Sequence, residues 1–66
     1  MKLRIEVNLN TDNSAFDEDP AAEVARILRG MTDRIEQQHY TGGTNLLFDI
    51  NGNACGYFQV TERDDE

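Results

Sequence analysis

A chain of 66 residues with a formal charge of -7, thirteen acidic against six Lys and Arg side chains, and a single cysteine excludes several classes at once. It makes one domain, has no Cys or Cys/His spacing for a disulfide framework or a zinc site, and lacks the clustered cations that sequence-independent nucleic-acid binding requires. Met1-Lys2 leads straight into an alternating pattern, and no apolar run is long enough for a signal peptide or a membrane span, so the expectation is a cytoplasmic protein in a reducing compartment.

Leu3, Ile5, Val7 and Leu9 alternate with Lys2, Arg4, Glu6 and Asn8, the period-two pattern of a strand with one face buried. From Asn10 to Asp19 the chain turns polar, with Asx and Ser residues that favour local side-chain to backbone bonds over a ladder. Phe16 interrupts this loop. It is too large to leave wet, so it is expected to fold back and pin the loop to the core, a partner-facing role being the alternative.

A helix is predicted to begin at Asp19-Pro20. Asp caps free backbone N–H groups, Pro suits the first helical position, and Asp17, Glu18 and Asp19 suit the positive end of the helix dipole. Val24, Ile27, Leu28, Met31 and Ile35 recur at helical spacing with charged residues on the other faces, giving an amphipathic helix of about five turns. Glu23 with Arg26 and Arg29 with Asp33 are spaced to pair along it. Gly30 costs about 1 kcal/mol relative to Ala there and either admits a neighbouring backbone or is a tolerated surface glycine. His39-Tyr40-Thr41-Gly42-Gly43 then ends the helix, the two glycines supplying the positive φ that a helix exit commonly needs.

Leu46, Phe48 and Ile50 alternate, Asn51-Gly52-Asn53 is a turn signal, and Ala54, Gly56, Phe58 and Val60 alternate again, which predicts a hairpin. A loop of Asn51, Gly52 and Asn53 sets Ile50 opposite Ala54, Phe48 opposite Gly56 and Leu46 opposite Phe58. That register gathers the strong apolar residues, Leu47 and Tyr57 excepted, on one side, and burial is expected to select it.

The predicted fold is α+β with order β-α-β-β, a three-stranded sheet with one amphipathic helix packed on one face, over residues 1–61, followed by an acidic, frayed tail at 62–66. The expected core is Leu3, Ile5, Val7, Leu9, Val24, Ile27, Leu28, Met31, Ile35, Leu46, Phe48, Ile50, Phe58 and Val60. A crossover sets the first strand parallel to the second, either beside it or with the third between them. The uncovered sheet face then carries Lys2, Arg4, Glu6, Asn8, Leu47, Asp49, Cys55, Tyr57 and Gln59, with an apolar and aromatic patch at its hairpin end that is a candidate interface.

No catalytic, cofactor-binding or metal-ligating set emerges. Asp12, Asp17, Glu18 and Asp19 lack the spacing of a calcium loop and read as capping and solvating groups. His39 has no Ser or Cys nearby to activate and reads as a helix-end residue. Cys55 has no neighbour in sequence to make a thiolate, and Gly42-Gly43 lacks the Lys of a phosphate loop. The candidates are instead for partner contact: Tyr40, Tyr57 and Leu47 as apolar surface, and Asp12, Asp17, Glu18, Glu62, Asp64, Asp65 and Glu66 as charge for a basic protein surface. For each the plainer role is shielding a sheet edge, capping or solubility.

The combination Thr11-Asp12-Asn13-Ser14-Ala15-Phe16, then Pro20 to Leu28, then Asp49-Ile50-Asn51-Gly52-Asn53 followed by Gly56 resembles short uncharacterised proteins encoded by bacteriophages and prophages. The resemblance carries no catalytic motif. It implies a bacterial cytoplasmic setting, and from the class it implies an inhibitor that occupies a basic surface of a host nucleic-acid-binding or defence protein, as anti-CRISPR proteins do. The expectation is therefore a non-enzymatic acidic binding module. The alternative is a homo-oligomeric phage accessory or structural protein associating through its open sheet face; a chain this short buries only roughly 60% of its unfolded surface and gains from a second copy.

Overall fold

The computed structural model describes residues 2–63. Strand β1 (Lys2–Leu9) leads through a 3-10 turn at Ser14–Phe16 to helix α1 (Pro20–Glu36), which is followed by β2 (Thr44–Phe48) and β3 (Ala54–Arg63). The three strands form one sheet in the order β1-β3-β2, with both neighbouring pairs antiparallel. β1 and β2 thus run parallel with β3 between them, one of the two orders left open by the sequence. β3 continues to Arg63, with Glu62 opposite Leu3 and Arg63 opposite Lys2, so these two residues are strand rather than tail. Asp64, Asp65 and Glu66 lie outside the described residues.

The helix start follows the sequence closely. Asp19 is the N-cap, its carboxylate accepting the Ala22 N–H at 3.1 Å, and Pro20 opens the helix. Phe16, brought inward by the 3-10 turn, is 2% exposed and joins Ile27, Leu47, Cys55, Phe58 and Val60 in the core. Leu9, Val24, Met31, Ile35 and Tyr40 pack around them. The helix exit differs from expectation. The positive φ falls at Gln38 and not at Gly42 or Gly43. The Gln38 N–H reaches the Ile35 carbonyl at 3.0 Å and the His39 N–H reaches Arg34 at 2.7 Å, the paired bonds of a Schellman exit with Gln38 in the left-handed position.

The hairpin register also differs. The loop is Ile50, Asn51 and Gly52, closed by the Asp49 N–H on the Asn53 carbonyl and the Gly52 N–H on the Asp49 carbonyl, both at 2.9 Å. Phe48 stands opposite Ala54, Leu46 opposite Tyr57 and Asn45 opposite Phe58. A bulge leaves Cys55 as an extra residue beside Leu47. With a period of two, this one-residue slip turns β2 over: Leu47 is buried in the core, while Leu46, Phe48 and Ile50 are out of it. Asp49 and Cys55, expected on the open face, are also buried. The reason is the hydrogen bonding of Asp49, whose carboxylate accepts the N–H groups of Asn51 and Asn53 at 2.9 Å within the loop and the distant Asn13 amide at 3.0 Å.

β1 supplies a third departure. Ile5 stands opposite Val60 and Val7 opposite Phe58, so Leu3, Ile5 and Val7 share the helix-side face as expected. α1, however, lies along β2 and leaves them 42–46% exposed. The molecule is accordingly extended, with a radius of gyration of 13.1 Å against about 11 Å for a compact chain of this length.

Candidate interaction surface

The turned-over β2 gives the open sheet face its character. Leu46 and Tyr57 are directly opposite one another, Phe48 faces Ala54, and their exposures are 48% for Leu46, 50% for Phe48 and 37% for Tyr57. Ile50, 68% exposed, sits at the loop tip of the same hairpin. Polar residues border the patch: Gln59 donates to the Thr44 hydroxyl at 3.2 Å, and Asn8 and Glu6 lie opposite Tyr57 and Gln59 on β1. An apolar centre with a polar rim is the usual anatomy of a protein interface.

The acidic loop is tied to this end of the sheet. The Asn10 N–H bonds the Cys55 carbonyl at 2.8 Å, and Asn13 bonds the Asp49 carboxylate. The first turn of α1 is joined to the hairpin by Glu23, which accepts the Ile50 N–H at 2.8 Å and holds Arg26 through both guanidinium contacts, at 3.0 and 2.8 Å. Of the two helix pairs expected, this one forms. No Arg29–Asp33 ion pair is present among the described residues.

These bonds divide the carboxylates by role. Asp19 caps, Glu23 and Asp49 organise the hairpin, and all three are engaged. Asp12, Asp17 and Glu18 are exposed, and their side chains have no hydrogen-bond or ion-pair partner among the described residues. The hydrogen bond from Arg26, helped by that of Ile50 and opposed by partial burial, holds the Glu23 carboxyl below the usual range, and the same pairing raises Arg26. Burial pushes the Cys55 thiol up, reinforced by Asp49 and Glu23; its Sγ donates to the Leu47 carbonyl at 3.6 Å. Asn45, also buried, is spent on Thr41, Gly43 and Phe58.

The candidates from sequence therefore separate. Tyr57 is on the open face and Asp12, Asp17 and Glu18 are on the segments bonded to its hairpin end. Leu47 is 3% exposed and is withdrawn from that face by the register. Tyr40 is half-buried against the core, and Glu62 lies at the far end of β3. Periodicity places Leu46, Phe48 and Ile50 in the core, whereas they belong to the surface. The signal that marks them is Asp49-Ile50-Asn51-Gly52, with Asp at the first and Gly at the fourth turn position.

Among the described residues no group of His, Cys, Asp and Glu is placed to hold a metal ion, and no helix is long and apolar enough to cross a membrane. A groove between α1 and β2, lined by Arg26, Gly30, Arg34 and Phe48, encloses about 180 Å³, less than the ~300 Å³ of a typical small-ligand site. Compared with known proteins, the chain matches no family model, no curated protein and no solved structure.

Proposed function

We propose that this protein is a non-enzymatic binding module that docks the hairpin end of its open sheet face on a basic protein surface. Leu46, Phe48 and Tyr57 supply the desolvated centre of the contact, and Asp12, Asp17 and Glu18 steer its approach electrostatically. The observation that carries this reading is the conjunction of an exposed apolar patch with three carboxylates whose side chains bond to nothing among the described residues. The resemblance to phage-encoded proteins supplies the class of partner: a nucleic-acid-binding or defence protein of a bacterial host, inhibited by occupation of its cationic surface in the host cytoplasm.

The test is affinity capture from bacterial lysate at low and high salt with three baits. The unaltered chain retains a basic protein at low salt. Phe48→Asp abolishes retention, and Asp12→Asn/Asp17→Asn/Glu18→Gln weakens it and flattens its salt dependence. Equal retention by all three baits across the salt range refutes the reading.

A further inference from the structure

We propose that β1 is a dimerisation edge, at which a second copy of this chain pairs its own β1 antiparallel to the first with Ile5 against Ile5 on the two-fold axis. The two edges of the sheet are treated differently. On β2 the outward carbonyls are covered: Arg34 donates to Leu46 at 2.9 Å and Arg26 approaches Phe48 at 3.4 Å. Among the described residues the outer edge of β1 has no element beside it, and every residue from Lys2 to Asn8 is exposed.

The backbone of that edge is correctly aimed. The Asn10 N–H bonds the Cys55 carbonyl on β3, and antiparallel ladders alternate between bonded and non-bonded pairs. Asn8, Glu6 and Arg4 therefore turn their backbone groups toward β3, while Leu3, Ile5 and Val7 turn theirs outward. Such an unprotected apolar edge is a template for another strand.

Charge selects the register. Pairing must keep odd residues opposite odd ones if the apolar face is to be continuous. With Ile5 on the axis, Leu3 meets Val7 of the second copy, and Arg4 meets Glu6 of the second copy twice over, once on each side of the axis. A slip of two residues one way sets Arg4 against Arg4, and the other way Glu6 against Glu6. Within one copy these two side chains are 3.9 Å apart and largely exposed, at 63% and 55%, so both are accessible to a second chain. The product is a six-stranded sheet with both helices on one face and the open face continuous on the other. Docking under the proposed function uses that other face, so the two readings fail independently.

Sedimentation velocity over the micromolar range tests the proposal, with circular dichroism as the check on folding. The unaltered chain is expected to sediment as a concentration-dependent dimer. Arg4→Glu and Glu6→Arg, each on the solvent face, raise the dissociation constant about tenfold, and the double variant restores it. Phe48→Asp leaves it unchanged. Under oxidation Ile5→Cys forms a crosslinked dimer; Leu3→Cys alone does not, but a mixture of Leu3→Cys and Val7→Cys does. A chain that stays monomeric to hundreds of micromolar, a double swap that fails to restore association, or self-crosslinking of Leu3→Cys overturns the proposal.

Discussion

Gln38 holds the left-handed position of the helix exit with a φ of 59°, where an L side chain costs about 1 kcal/mol or more and glycine costs little. It is exposed, and its side chain has no bonded partner among the described residues. Gln38→Gly is therefore expected to stabilise the fold by about 1 kcal/mol, raising the melting temperature by about 4–8 °C; a lower melting temperature contradicts the assignment of this residue to the exit. The sequence pointed to Gly42-Gly43 for this task because glycine is the commoner solution. The bonds to Ile35 and Arg34 instead close one turn earlier, so the later glycines have no helix end to serve.

Among the elements, the meeting of β1 and β3 imposes the tightest local constraint. A Cβ on Gly56 would collide with the carbonyl oxygen of Asn8 and crowd Leu9, and both obstacles are backbone, which has no rotamer to yield. Gly56→Ala should cost about 2–3 kcal/mol, read as a lowered denaturation midpoint. Gly30 on α1 has no atom within 4 Å of the same added carbon, making it the tolerated surface glycine rather than a packing device. An undiminished midpoint in Gly56→Ala would mean that β1 and β3 approach less closely. The hairpin is the element where patterning and outcome part. Alternation in β2 favours burying Leu46, Phe48 and Ile50 together. Asp49 is worth more inside, where it bonds three loop groups, and Leu47 with Cys55 fills the space that the slip opens.

At the scale of the whole molecule, the helix and hairpin share the buried core of Ile27, Leu47, Cys55, Phe58 and Val60, and Glu23 adds a bond to the Ile50 N–H while Arg34 sets its guanidinium 4.9 Å from the Phe58 ring centre. The folded state depresses the Glu23 carboxyl, so it binds fewer protons than the unfolded state and stability rises with pH through this region. That contribution is full above the ordinary glutamate value of about 4.3 and is lost as pH falls through the lower folded value. Urea midpoints measured from neutral pH into acid should show this loss, and Glu23→Gln should be less stable at neutral pH with a shallower acid limb. An acid limb of equal slope in both chains would assign the loss to other carboxylates.

The element order, the Asp19-Pro20 helix start, the inward Phe16 and the apolar faces of α1 and β1 were all determined by the sequence, because each depends on bonds or periodicity within a few neighbouring residues. Three features were decided only by tertiary structure: β3 as the central strand, the odd face of β1 left bare by a helix that lies along β2, and the reversal of β2. Each is a competition between distant groups. Asp49 must find Asn13, Glu23 must find the Ile50 N–H, and Arg34 must reach the Leu46 carbonyl. Local patterning does not record which of these long-range bonds outweighs the burial of three apolar side chains, and the surface patch exists because they do.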